Sequence, residues 1–246
     1  MIKFFRNIRQ KMLTENKFSK YLIYAIGEII LVVIGILIAV QINNWNTNRN
    51  EITRLNSVLN IVKSDLIKDT LNILRPIKLY EEKNTRILNI LENNLSISSL
   101  DTITELNPKN YNSFRNLITS YDLFKIQNKG ISLLKNIATN IDYEKDTLIT
   151  SLINSHSEYK LYFEEDNETI TKIAVQNIED YEKHSWFTDW LLRKYNKNMF
   201  QYFYSDEYKR KAGKYNVYSN QFLRDLKEYD SISKTYITII EKRLKK

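Results

Sequence analysis

Residues 21–42 form a nearly uninterrupted apolar run, and this run constrains the fold more than any other feature of the sequence. Only Glu28 and Gln41 in it are strongly polar. As a helix rising about 1.5 Å per residue, the run spans roughly 33 Å, enough for a ~30 Å hydrocarbon core. Its length, and the lack of an Ala-x-Ala site after it, argue against a cleaved signal peptide. The sequence therefore predicts a transmembrane helix over residues 21–42 that is not removed.

Basic residues are distributed unequally on the two sides of this run. Six Lys and Arg lie within residues 1–20, whereas only Arg49, Arg54 and Lys63 follow within a similar distance. The positive-inside rule places the amino terminus in the cytoplasm and the rest of the chain outside it. We therefore expect a protein of the bacterial inner membrane with a periplasmic domain. The residues expected to anchor the helix at the interfaces are Lys17, Lys20, Tyr21 and Trp45.

Residues 1–20 are predicted to be a basic cytoplasmic segment. Ile2, Phe5, Ile8 and Met12 recur at helical spacing with basic residues between them. The pattern fits an amphipathic helix on the anionic inner leaflet, or a plain basic flank that only sets the orientation.

Glu28 lies inside the apolar run and shares one stripe with three other residues. Tyr24, Glu28, Gly35 and Ala39 fall on one narrow face of a helix. Gly35 and Ala39 form a small-x-x-x-small pair, which lets two helix backbones approach closely. We interpret the stripe as a contact face for a second copy of the chain or for another membrane protein. Two alternatives for Glu28 stay open: transfer of a proton or ion, and snorkelling toward the cytoplasmic interface.

The stretch "NKFSKYLIYAIGEIILVVIGILIAVQINNWN" resembles the amino-terminal signature of a family of uncharacterised single-pass inner-membrane proteins of Bacteroidota. A looser similarity extends to "YDLFKIQNKGISLLKN", residues 121–136. The resemblance implies an inner-membrane protein with a helical extracytoplasmic domain. It implies no activity, because no function is assigned to that family.

The composition predicts an all-α fold and argues against nucleic-acid binding. The chain has four Gly, two Pro and no Cys, whereas strand-rich folds need many Gly- and Pro-containing turns. Of the net charge of +8, residues 43–246 contribute only +4, from 31 basic and 27 acidic side chains. That near balance lacks the basic excess of a nucleic-acid binder.

Apolar stripes at helical spacing divide the rest of the chain into helices. One helix is predicted to continue from the membrane through residues 43–92, as a coiled-coil-like stalk and first bundle helix, with an interruption or kink at Pro76. Residues 93–110 are predicted to connect to helices at 111–128 and 131–139, separated by a left-handed Gly130. A long helix is predicted from Asp142, and a last one from about Tyr215 to Leu244, preceded by a turn in "YKRKAGKYN". Residues 93–246 then complete an elongated antiparallel helical bundle on the stalk.

No catalytic, phosphate-binding or metal-binding motif is present, so the sequence predicts no enzyme, no cofactor and no metal site. His156 falls near the apolar face of its helix, which is typical of a hydrogen-bonded core histidine. His184 has Ser185 and Asp180 nearby in sequence, which does not make a triad. Acidic groups such as Glu81–Glu82 are interpreted as solvated helix faces rather than cation sites.

An aromatic-rich stretch occupies residues 186–204. Aromatic side chains with interspersed Arg and Lys suit a partner or ligand surface. The alternative, which we favour, is that the rings close one end of the bundle and only pack. The candidate residues are Trp186, Phe187, Trp190, Phe200, Tyr202 and Phe203.

Three functional hypotheses follow. The first is a membrane-anchored extracytoplasmic helical module for interaction or sensing, with the lipid bilayer and a membrane-helix partner as its contacts. The second is an ion-motive, stator-like subunit that uses Glu28. The third is an extracytoplasmic enzyme, for which the sequence shows no polar constellation.

Overall fold

The computed structural model describes residues 18–92, 115–138 and 146–245. These ranges contain helices and no strand, which confirms the all-α fold: a long apolar amino-terminal helix followed by a helical bundle. The chain divides into two compact units, Met1–Asn56 and Ser57–Lys246. The predicted connection at 93–110 and most of the basic segment 1–20 lie outside the described residues. The helices are α1 Phe18–Asn72, α2 Leu74–Leu91, α3 Lys129–Ala138, α4 Thr147–Glu182, α5 Phe187–Leu191, α6 Lys197–Phe203 and α7 Asp206–Leu244.

The first unit contains the amino-terminal part of α1, whose apolar side chains are exposed on all sides. Every large hydrophobic residue between positions 29 and 42 has at least 47% of its surface accessible. This helix is long and apolar enough to cross a membrane, and its apolar window has no residue buried against the rest of the chain. A stretch of this kind is stable in water only when something apolar covers it.

The junction between α1 and α2 is a one-residue irregularity at Ile73. Ile73 has helical dihedral angles, its N–H donates to the Asp69 carbonyl at 2.9 Å, and its own carbonyl accepts from Ile77 N–H at 3.1 Å. Pro76 has no N–H to donate to the Asn72 carbonyl, and α1 ends at Asn72. The predicted interruption at Pro76 is confirmed. The helical hydrogen bonds of Ile73 and Ile77 nevertheless continue across the junction.

In the second unit, α7 lies antiparallel to both α2 and α4. Side-chain pairs show the direction on α2, because Asn84 bonds Asn220, whereas the earlier residue Glu81 pairs with the later residue Lys227. Against α4, Asp180 pairs with Lys211, whereas the Tyr236 hydroxyl donates to the Ser151 carbonyl. α2 and α4 therefore run parallel to each other, each packed against α7.

The bundle core is built from the apolar stripes of these helices and is rich in aromatic rings. Phe163 on α4 lies edge-on to Phe222 and Tyr229 of α7, with ring centroids 6.0 and 5.5 Å apart. One face of α4 is buried, and the Asp146 side chain caps its first turn by accepting from Leu148 N–H and Ile149 N–H. The buried residues on this face include Leu152, Tyr159, Phe163, Ile170, Ile173 and Tyr181.

Residues 120–128 are not helical, which contradicts the predicted helix over 111–128 in its second half. Helix side chains bind the backbone of this segment instead. The Tyr80 hydroxyl donates to the Asp122 carbonyl at 2.9 Å, and the Asn167 amide group bonds both the N–H and the carbonyl of Phe124. These side chains replace the hydrogen bonds that a helix would have made.

Gly130 is also placed differently from the prediction. It is the second residue of α3 and no glycine has a positive φ, so it does not close a preceding helix. A Cβ at this position would lie 2.6 Å from Val62 Cα and 2.7 Å from Val62 N. Gly130 is thus required because the α3 backbone approaches that of α1.

The last helix begins nine residues before the predicted Tyr215. α7 starts at Asp206, where the Ser205 hydroxyl accepts from Tyr208 N–H, so the predicted turn in "YKRKAGKYN" is wrong. Gly213 is accommodated inside the helix, with Leu91 3.9 Å from where its Cβ would be. The buried face of α7 includes Tyr215 and Ser219, whereas Tyr218 is 42% exposed. Lys242 and Arg243 lie in the last turn of α7, where the helix dipole favours cations.

Candidate functional site

Two buried aspartates on one face of α1 form the start of a polar cluster inside the second unit. Asp65 and Asp69 are one helical turn apart, and their side chains point to the segment that leads into α3. Asp65 Oδ2 accepts from Gly130 N–H at 2.6 Å. The Asp69 carboxylate accepts from Gln127 N–H, at 3.1 and 3.3 Å to its two oxygens. The two carboxylates thus accept hydrogen bonds from backbone N–H groups just before α3 and in its first turn.

Tyr229 of α7 and His156 of α4 complete the cluster from the other side. The Tyr229 hydroxyl donates to Asp69 Oδ2 at 2.8 Å. Nε2 of His156 lies 3.2 Å from the Gln127 carbonyl oxygen, so Nε2 carries the proton of the neutral ring. Nδ1 of His156 is buried and has no hydrogen-bond partner among the described residues. The neutral ring therefore presents a buried acceptor.

Burial dominates the electrostatics of this cluster. It raises the pKa of the Asp69 carboxyl to about 6, and the nearby Asp65 charge acts in the same direction. The hydrogen bonds from Tyr229 and Gln127 oppose that rise. Burial lowers the pKa of His156, and the Gln127 carbonyl partly opposes it. The cluster therefore holds a carboxyl that changes protonation near neutral pH beside an uncharged imidazole.

The cluster lines a small cavity. Its volume is about 20 Å³, and its walls include Asp65, Asp69, Gln127, His156 and Tyr229. A cavity needs roughly 10–15 Å³ to hold one water molecule, so one water fits and an organic substrate does not. The arrangement can store a proton or a water molecule and bind four parts of the chain together.

Lys83 on α2 is a second buried polar group, and it has no carboxylate among its hydrogen-bond partners in the described residues. Its Nζ donates to the carbonyls of Leu117 at 3.0 Å, Asn116 at 3.3 Å and Ser120, and lies 3.3 Å from the Tyr215 hydroxyl. These carbonyls end the helical turn at 115–119, where a cation is favourable. Burial lowers the pKa of Lys83 to about 7. Lys83 therefore holds residues 115–120 against α2.

Asp166 of α4 and Asp225 of α7 form a carboxyl pair between the two helices. Burial raises the pKa of Asp166 to about 7, helped by the charge of Asp225 and a hydrogen bond with it. Asp166 is therefore partly protonated near neutral pH. In the described part of the chain, no group of three His, Cys, Asp or Glu side chains converges to hold a metal ion.

The predicted membrane contact stripe lies on the exposed amino-terminal part of α1. No atom lies within 4 Å of a Cβ built on Gly35, and Glu28 is partly buried. Trp45 is 63% exposed, with the Arg49 guanidinium 5.7 Å from its ring centroid. The side chains of Tyr24, Tyr21, Lys20 and Lys17 lie outside what the structure describes.

The aromatic-rich stretch is largely buried, so the packing alternative describes it. Trp186, Trp190, Phe200, Tyr202 and Phe203 are each at most 9% exposed, and Phe187 packs against the same core. Several of these rings surround Tyr181 at the end of α4, including Trp190 at 5.4 Å and Tyr202 at 5.7 Å. Five of the six candidate residues are therefore core residues and offer little surface to a partner.

His156 is confirmed as a hydrogen-bonded core histidine, but Asp65, Asp69 and Lys83 were not identified from the sequence. A signal was present for the aspartates. Asp65 and Asp69 occupy the buried face of α1 together with Leu59, Val62 and Leu66. A charged residue in phase with an apolar stripe indicates a buried polar contact.

Part of the chain is similar to a known family. Residues 28–122 match the model of a family of unknown function (DUF6090). The match includes the apolar part of α1 from Glu28, both aspartates of the cluster, and Lys83. No curated protein and no solved structure matches the chain. The expected resemblance to uncharacterised proteins is thus supported for these residues.

Proposed function

We propose that the protein is a membrane-anchored helical module that binds or senses a partner outside the cytoplasm. The observation that carries this proposal is the uniform exposure of the apolar side chains at positions 29–42 of α1. Burying them in a bilayer removes the cost of apolar surface in water, about 25 cal/mol for each Å². If residues 29–42 were exposed to water instead, the free-energy cost of hydrating their apolar side chains would remain.

The same helix supports an anchoring role for another reason. α1 continues from the apolar stretch to Asn72, and its carboxyl-terminal part supplies Leu59 and Val62 to the core of the second unit. The helix that carries the apolar stretch therefore also contributes side chains to the core of the second unit.

The second unit supports binding or sensing more than catalysis. Its buried polar side chains mostly bond backbone groups of the same unit, and the cavity at Asp69 and His156 holds no more than a water molecule. Hydrogen bonds of this kind between side chains and a distant backbone segment stabilise one packing arrangement. The bundle is suited to presenting a defined helical surface.

The finer features of the proposal concern placement and association. The charge asymmetry supports an amino terminus in the cytoplasm and a bundle in the periplasm. The resemblance of the amino-terminal stretch supports placing the protein in the inner membrane of a member of Bacteroidota. Open space around Gly35 supports lateral association, because a second helix can approach there closely. Glu28 then contributes a hydrogen bond across that interface.

The absence of cysteine makes a direct topology test simple. Single cysteines at Asn7 and Val217, the latter 65% exposed on α7, are to be treated with a membrane-impermeant maleimide in spheroplasts. We expect labelling at position 217 in intact spheroplasts and at position 7 only after lysis. Release of the full-length chain from membranes by alkaline carbonate, or the reverse labelling pattern, would contradict the proposal.

A further inference from the structure

The turn between α5 and α6 exposes a group of apolar side chains at one end of the second unit. Leu191 is 52% exposed, Leu192 58% and Tyr195 46%, whereas the neighbouring Trp190 is only 6% exposed. Adjacent exposed leucines with a tyrosine are unusual on a soluble surface away from any contact. The aromatic-rich stretch thus divides into a buried part and this exposed turn.

Cationic residues lie next to these apolar residues along the chain. Arg193, Lys194 and Lys197 lie within the turn or at its end, and Asp189 is the one acid close by in sequence. The Asp189 carboxylate already accepts from Asn196 Nδ2 at 2.7 Å. Among the described residues, neither Arg193 nor Lys197 forms a salt bridge. The turn is therefore both apolar and positively charged.

The turn is held in a defined and strained conformation. Arg193 has φ of 59°, a left-handed value that non-glycine residues rarely adopt. Hydrogen bonds maintain it: Lys194 N–H donates to the Asp189 carbonyl at 2.8 Å, and the buried Arg115 donates to the carbonyls of Trp190 and Leu191. Backbone strain of this kind persists only where the surrounding structure imposes it, and such positions are common at binding sites.

We propose that residues 191–197 bind the surface of an anionic lipid bilayer. Leu191 and Leu192 insert below the headgroups, Tyr195 lies at the interface, and the cations contact the headgroup phosphates. A lipid surface matches both properties at once, because it offers an apolar layer directly beneath a layer of negative charge. An acidic protein would match the charges and leave two adjacent leucines to be covered separately. The inference does not depend on the proposed anchoring function.

A fluorescent label next to the turn tests the proposal. The full-length chain with a single cysteine at Asn198, an exposed position beyond the turn, is labelled with an environment-sensitive dye in phosphatidylcholine nanodiscs. Vesicles of phosphatidylcholine, with or without phosphatidylglycerol, are then added. We expect a blue shift of emission with the anionic vesicles and little change with the neutral ones. The same label at Val217 on α7 is the control and should not respond to either.

Matched variants separate charge from apolar insertion. The pair Arg193→Gln and Lys197→Gln should weaken binding about thirtyfold, since each cation near an anionic surface contributes about 1 kcal/mol. The pair Leu191→Ser and Leu192→Ser should abolish the blue shift. Leu161→Ser and Lys214→Gln, at exposed positions on α4 and α7, should leave binding unchanged.

Two results would overturn the proposal. Unchanged emission with both kinds of vesicle excludes a lipid ligand and leaves an acidic protein surface as the alternative. Equal responses to neutral and anionic vesicles show that the cations have no part in binding. Because the substituted side chains are exposed, unfolding of the variants is not expected, and circular dichroism of each variant verifies this.

Discussion

The Tyr229 hydroxyl donates to the Asp69 carboxylate at 2.8 Å, which joins α7 to α1 across 160 positions of sequence. Asp69 also accepts from Gln127 N–H, so one carboxylate connects two helices and the segment before α3. Because this group is buried, its protonation state and the packing of the bundle are coupled.

Asp69→Asn is expected to change how stability depends on pH. The pKa of Asp69 rises from 3.8 in the unfolded chain to about 6 in the fold, so the folded state binds the proton more tightly. Wild-type stability therefore increases as pH falls from about 6 to 4, by about 2–3 kcal/mol, and the variant lacks this gain. Urea unfolding of the full-length chain in detergent measures the difference, with the exposed Glu168→Gln as a control that should follow the wild type. Parallel pH profiles for wild type and Asp69→Asn would show that Asp69 does not titrate in this range.

Gly130→Ala and Gly213→Ala are expected to have opposite effects on stability. The methyl group at position 130 would overlap the Val62 backbone at 2.6 Å, which cannot move aside as a flexible side chain would. We expect a loss of about 3 kcal/mol or more, by the usual cost of overpacking. At position 213, within α7, Leu91 is 3.9 Å away, so Ala fits and should stabilise by about 0.5–1 kcal/mol. Thermal unfolding of both variants measures the change in stability. Equal changes for the two variants would exclude the close approach of α3 to α1.

Lys83→Met is expected to loosen residues 115–120 before it affects the rest of the bundle. The substitution keeps most of the apolar stem but removes the donor shared by the carbonyls of Asn116, Leu117 and Ser120. The carbonyls of Asn116 and Ser120 keep other donors, the Ser120 hydroxyl and the Tyr215 hydroxyl. The buried Leu117 carbonyl loses its Lys83 donor, which costs about 1–3 kcal/mol. Hydrogen exchange should become faster around these residues and remain unchanged in the middle of α4. Faster exchange throughout the bundle would indicate a global role for Lys83 instead.

Gly35→Ile is expected to reduce association between membrane helices. A branched side chain at this position prevents the backbone approach that the small-x-x-x-small pair allows. Gly27→Ile is the matched control, because Gly27 also has open space around it but lies outside the predicted stripe. Crosslinking in intact membranes should lose the dimer band for Gly35→Ile only. Equal crosslinking of Gly35→Ile and Gly27→Ile would show that the stripe is not the contact face.

Glu28→Gln distinguishes association from ion transfer. Gln retains hydrogen-bonding capacity but cannot titrate. Under the proposed function, Glu28→Gln keeps the crosslinked dimer and the cellular phenotype of the wild type. A dimer that persists while the phenotype is lost would favour the ion-motive alternative.

Local sequence patterns were sufficient for the helices that have a strong stripe and a clear end. The apolar part of α1, the break before Pro76 and the long α4 were all predicted, because hydrophobic periodicity and the missing proline N–H act within a few residues. The structure also agrees with the interpretation of His156, whose phase on α4 places it at the core.

Contacts between distant residues decided the remainder. Residues 120–128 depart from a helix because Tyr80, Asn167 and Asp69 bind their backbone groups, and α3 requires Gly130 because of Val62. Neither partner of these pairs reveals the other in the sequence. The sequence alone determined which segments are apolar, helical and interrupted, since those properties depend on neighbouring residues. Only the tertiary structure decided which polar groups meet and which aromatic rings are buried, because these depend on the packing of helices far apart along the chain.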